Sequence, residues 1–212
     1  MDAHRRRWLY AALVCCTIPL AVADPITPSA ERLAQVIDQL EVEQHWPAGL
    51  HVHWETGIPD GRPESGTGKH THCSAFVAAA AKHAGIYILR PPDHEQLLLA
   101  NAQYDWLGSE GVAQGWKPVA NGIEAQRYAN QGWFVVATYR NHKDSSPGHI
   151  AIVRPSNKDV AALRAEGPQV TQAGGTNYRS VALRVGFAGH PNAWERQEVL
   201  YYAHAVDPAV FK

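Results

Sequence analysis

The chain has 212 residues, 45% of them hydrophobic and 18% charged, with a formal net charge of −1. These totals suit one globular domain with a sizeable core. The near-neutral balance excludes an electrostatic case for nucleic acid or an anionic membrane surface as partner.

The first 23 residues stand apart from the rest. His4-Arg5-Arg6-Arg7 is basic, Trp8 to Leu20 is an apolar run, and Ala21-Val22-Ala23 is an A-x-A site before Asp24. That pattern predicts a secretory signal peptide cleaved after Ala23, leaving residues 24–212 as a single domain in the periplasm or secreted. The apolar run is shorter than the ~20 residues a spanning helix needs, so no membrane attachment is expected after cleavage. Cleavage removes Asp2 and three arginines, which takes the net charge from −1 to −3. It also removes Cys15 and Cys16, so the mature chain keeps Cys73 as its one cysteine. A lone thiol in an oxidising compartment cannot form an internal disulfide. Alanine or valine would fill a core without the oxidation hazard, which favours a nucleophile over a packing cysteine.

Thr27-Pro28-Ser29 opens a predicted helix with Leu33, Val36, Ile37 and Leu40 at helical spacing. Leu50 to Trp54 alternates like a short strand with His51 and His53 on one side. The stretch from Gly57 to Gly68 is rich in glycine and proline and predicts a surface loop. An alanine-rich helix then begins at Cys73, with Phe76, Val77, Ala80 and Ala84 on one apolar face and Gly85 as its stop. Pro91-Pro92 breaks the chain, and Asp93 is placed to cap a helix running to Gly108. An irregular piece follows, from Glu110 to Asn121, and then a helix from Ile123 to Asn130. Strands are predicted at Trp133 to Tyr139, His149 to Arg154, Gln169 to Ala173 and Val181 to Phe187, while Val199 to Ala205 fits a strand or a helix. A helical excursion over 157–166 interrupts them. The expected class is α+β, with the Cys73 helix packed on an antiparallel sheet.

A thiol in the first turn of a buried helix meets unpaired amide groups and the positive end of the helix dipole, which predicts a pKa below the ~8.5 of a free thiol. Such a nucleophile needs a base, and the base needs a group that fixes its tautomer. His149 begins a buried strand after the turn Pro147-Gly148, so its backbone is fixed while its side chain can face a cleft. Gln172 follows on a strand that can lie alongside, and its amide oxygen can accept from an imidazole N–H. Asn177 is the alternative third residue. The candidate catalytic set is Cys73, His149 and Gln172, and no cofactor is expected.

His72-Cys73-Ser74-Ala75-Phe76-Val77 resembles the D-C-S-G-F-V motif that opens the catalytic helix of NlpC-type cell-wall peptidases. Gly148-His149-Ile150-Ala151-Ile152-Val153 is similar to the G-H-V-A-I-V strand of those enzymes and of the related CHAP amidases. The order of cysteine, histidine and polar residue is also that of papain, and the resemblance covers roughly residues 65 to 175. Here His72 stands where an acidic residue is usual, and Ala75 where glycine is. The resemblance implies a papain-like fold, peptidoglycan stem peptides as substrate and a monomer. It also implies attack of the Cys73 thiolate on an amide carbonyl, an oxyanion held at the helix start, protonation of the leaving amine by His149, and hydrolysis of a thioester. It leaves open which amide bond is cut.

Two other readings compete. His70, His72 and Cys73 with His51 and His53 could bind zinc, although consecutive His72-Cys73 is poor spacing for one tetrahedral site. Seven tryptophans and eight tyrosines could serve a non-catalytic wall-binding domain by stacking on sugars.

Overall fold

The computed structural model describes residues 24–63 and 71–211. The stretch read as a signal peptide and His70 lie outside the described residues.

Helix α1 (Pro28–Asp38) starts as its sequence dictates, with Pro28 in the first turn and the Thr27 hydroxyl accepting from the Ala30 N–H at 3.2 Å. Between α1 and α2 the expected strand at 50–54 is absent. Only Val52 bridges to Pro59, within a loop pinned by a 2.8 Å contact from His51 to Asp60. Helix α2 (Cys73–His83) ends before the left-handed Gly85, as its pattern predicts. Its burial is not confined to one face. Every residue from Cys73 to Ala81 is buried, because the alanines let α1, α3 and the sheet approach closely on all sides.

Helix α3 (Leu99–Leu107) begins later than Asp93. The Asp93 carboxylate instead accepts from the Tyr87 hydroxyl at 2.6 Å, and left-handed Leu98 breaks any helix that would have continued from it. The piece read as irregular forms α4 (Glu110–Ala113) and strand β1 (Lys117–Val119). Helix α5 (Gly122–Asn130) is capped by Asn121, whose side-chain oxygen accepts from the amides of Ile123 and Glu124.

Then follow β2 (Phe134–Tyr139), β3 (His149–Val153), α6 (Val160–Glu166) and β4 (Gln169–Gln172). The last part comprises β5 (Tyr178–Ala182), α7 (Leu183–Gly186), α8 (Pro191–Glu195) and β6 (Leu200–His204), with a short 3₁₀ turn over Pro208–Phe211. Of the strand expected at 181–187, only Val181 and Ala182 belong to a strand, β5. The Leu183 N–H to Pro168 O bond closes the ladder with β4, and from there the chain leaves the sheet as a helical turn with Leu183 buried in the core.

The six strands form one antiparallel sheet in the order β1-β6-β2-β3-β4-β5. Side-chain alternation divides the core in two. Phe134, Val136, Ile150 and Ile152 face α1, α2 and α3, whereas Val135, Ala137, Ala151 and Val153 face α5, α7 and α8. Helices thus cover both faces, which explains why β2 and β3 read as continuous apolar runs. The molecule is mixed α+β, with the Cys73 helix packed on an antiparallel sheet.

Candidate active site

Three elements place the predicted residues. Cys73 begins α2 and is 3% exposed, His149 begins β3 and is 4% exposed, and Gln172 ends β4 and is 3% exposed. The pairing of β3 with β4 brings the last two together. His149 Nε2–H donates to Gln172 Oε1 at 2.8 Å. The amide nitrogen of Gln172 donates in turn to Thr176 O at 3.4 Å, which orients the amide with its oxygen toward the imidazole. Nδ1 of His149 is thereby left as the lone-pair nitrogen, with no hydrogen bond among the described residues.

Two glycines make room for this pair. A Cβ on Gly186 would stand 2.6 Å from Gln172 Oε1, and one on Gly148 would stand 2.1 Å from the carbonyl oxygen of Tyr139. Neither position has space for a side chain while the pair keeps its geometry.

Cys73 belongs to the core on the α2 side of the sheet with Ile150, the residue after His149. His149 precedes Ile150 at the very start of β3, and Phe187 meets its ring edge-on at 4.6 Å. No hydrogen bond joins Cys73 to His149. Backbone N–H groups of Ile150, Ser74 and Cys73 and the Thr71 side chain favour the thiolate, but burial outweighs them and pushes the thiol above its ordinary pKa. Burial also pushes the His149 imidazole below its ordinary value, against the opposing pull of Gln172. The expected low-pKa thiol is corrected accordingly. Helix-start amides are present, but the loss of water costs the anion more than they return. The resting pair is neutral thiol and neutral imidazole.

Asn177 has another task. Its side-chain oxygen accepts from the Gly174 N–H at 2.9 Å, and its nitrogen donates to the carbonyls of Val42, His45 and Trp46. It ties the β4–β5 turn to the segment after α1 and does not touch His149.

Of the histidines considered for zinc, His51 and His72, both among the described residues, are engaged elsewhere. His51 bonds to Asp60, and His72 Nε2 meets Leu50 O at 2.7 Å. Among the described residues no cluster of three or more metal-ligating side chains occurs.

The sequence reading missed His190. Its ring lies 5.6 Å from that of His149 at an interplanar angle of 22°, and 5.4 Å from Tyr139. Burial and the neighbouring His149 push it down to about 4. A turn histidine before Pro191 carries no local signal of this placement.

No protein-family model matches the chain. It is similar to peptidoglycan amidase Tse1 of Pseudomonas aeruginosa, with 34% identity over 89 residues. That match covers 42% of this chain and 48% of the relative, so the chain spans about half the length of the curated protein it matches.

Proposed function

We propose that this chain is a cysteine hydrolase that cleaves amide bonds of peptidoglycan, acting outside the cytoplasm after removal of a leader ending at Ala23. We read its fold as papain-like, of the NlpC or CHAP kind, with Cys73 as nucleophile, His149 as base and Gln172 as the group that orients it. The observation that carries this reading is the buried 2.8 Å bond from His149 Nε2 to Gln172 Oε1, on a strand whose next amide faces the thiol at the start of α2. The partial similarity to a peptidoglycan amidase supports the substrate class.

In this reading the thiol proton passes to His149 Nδ1 as sulfur attacks the carbonyl carbon of the scissile amide. The carbonyl π pair moves onto oxygen, and that oxyanion accepts from the first N–H groups of α2, which have no partner inside the helix. The oxyanion then collapses, the C–N bond breaks, and the Nδ1 proton goes to the departing amine. Water attacks the resulting thioester and gives a proton to Nδ1. The C–S bond breaks, that proton returns to sulfur, and a carboxylic acid is released. Because both groups rest neutral in a buried site, charge appears only as the reaction proceeds, where a water-poor setting strengthens each fixed dipole.

The test is the release of new amines from purified peptidoglycan by residues 24–212. Cys73→Ala should abolish release while its circular dichroism and its thermal unfolding at neutral pH stay those of the parent. Activity equal to wild type in that variant would rule the thiol mechanism out.

A further inference from the structure

We propose that His190 is a positioning residue of this site: its ring, stacked on that of His149, fixes the plane of the base and keeps water from it, so that Nδ1 stays available for the thiol proton. The inference rests on the assignment of His149 as base, and it concerns a residue outside the proposed Cys73, His149 and Gln172 set.

Four surfaces bound the His149 imidazole. Gln172 takes Nε2, Phe187 presents its ring at 4.6 Å and 77°, a Cβ added at Gly174 would come within 3.6 Å of Cε1, and His190 covers the flat face at 5.6 Å and 22°. Gln172 alone leaves the ring free to turn about the axis of its single hydrogen bond. A near-parallel ring removes that freedom. His190 is itself held from behind, because Tyr139 packs on it at 5.4 Å and its backbone N–H bonds to Phe187 O at 2.8 Å. Its ring nitrogens make no hydrogen bond among the described residues, so nothing there pins it as a structural donor or acceptor. Its work is done by its face.

The charges around the stack are few. Tyr139 on β2 and His149 on β3 face His190 directly. His142 in the β2–β3 turn lies 6.3 Å from Tyr139 and is tied to Glu198 at 2.8 Å. Arg196 and Glu198 act on Tyr139 with opposite sign. His190 remains neutral beside His149, which suits a stacking partner, since two adjacent imidazolium rings would repel.

The test uses residues 24–212 carrying His190→Ala, His190→Phe or His190→Gln, with two readouts. The first is a ¹⁵N titration of the His149 ring, which needs no substrate. Wild type should show the Nε2–H tautomer with a midpoint below 6.5. His190→Ala should admit water, raise the midpoint toward 6.5 and mix the tautomers, whereas His190→Phe, which keeps a flat apolar face, should behave as wild type. The second readout is amine release from purified peptidoglycan. His190→Ala should lower kcat about tenfold, leave KM within about twofold and move the acid limb of the pH profile to higher pH, with His190→Phe restoring both. An unchanged midpoint and tautomer in His190→Ala, or a Phe variant as impaired as the Ala one, would overturn the proposal. Should the Ala variant not fold, Gln, which lacks a ring, takes its place with the same expected contrast to Phe. If wild type releases no amines, the hydrolase reading fails while the titration still decides the role of His190.

Discussion

At the scale of single residues, the two amides first considered as third partners separate by what they hold. Gln172→Ala removes the one hydrogen bond that fixes the His149 tautomer. A bond of this kind contributes about 1.5–3 kcal/mol, so amine release should fall roughly ten- to a hundredfold with the fold intact. Asn177→Ala should do the opposite. It strips a shared donor from three carbonyls and an acceptor from Gly174, costing about 1–3 kcal/mol of stability with little effect on turnover of the folded enzyme. Unfolding in urea beside steady-state rates distinguishes the two, and the reverse pattern would move the orienting role to Asn177. The thiol gives a further residue-scale expectation. Because burial raises its pKa, alkylation by iodoacetamide should be slow at neutral pH and should accelerate only above the ordinary thiol range. Fast alkylation at pH 6 would mean an anionic Cys73 at rest.

At the scale of elements, the site depends on the helical turn α7 ending where it does. Gly186 lies against the Gln172 amide, so Gly186→Ala should push that oxygen away from His149. Since the clash is with the end of a flexible side chain, the fold should survive while activity drops toward that of Gln172→Ala. Rates close to wild type would show that the amide has another way to reach the imidazole. The same region marks the boundary of what the sequence revealed. Helix α2 and strand β3 were legible because their signals are local: alanines with a stop glycine, and an apolar run after Pro147-Gly148. The shared face of Val170 and Gln172 was legible from the two-residue period of a strand. The wall formed by Phe187 and His190 was not, because residues 183–187 alternate well enough to pass for a strand. The ladder with β4 ends at the Leu183 N–H to Pro168 O bond, and beyond it the apolar Leu183 and Phe187 are buried in the second core. Helix α5 on the second face was legible, but the turn that brings Phe187 and His190 onto His149, and with it the burial that lowers its pKa, was hidden for the same reason.

At the scale of the whole molecule, burial of the site ties stability to pH on both sides of neutrality. His149 and His190 have folded pKa values below their unfolded ones, the latter at about 4. As pH falls below about 6.5 the unfolded chain takes up protons that the folded one refuses, so stability is lost progressively from about 6.5 down to about 4. Asp38 adds to the same trend. Burial raises its carboxyl, but hydrogen bonds from Arg179 and Arg154 outweigh that and hold it below its usual value, so its contribution is lost as acid protonates it. Cys73 acts at the other end. Its folded pKa is raised, so the unfolded thiol ionises first and stability declines as pH climbs past about 8.5. The melting temperature of residues 24–212 should therefore peak near neutrality and fall on both flanks. His190→Phe should flatten the acid flank, and Cys73→Ala the alkaline one, each leaving the other in place. An acid flank unchanged in the Phe variant would show that His190 is not held neutral by the fold. An alkaline flank unchanged in Cys73→Ala would show that the thiol is free to ionise where it sits.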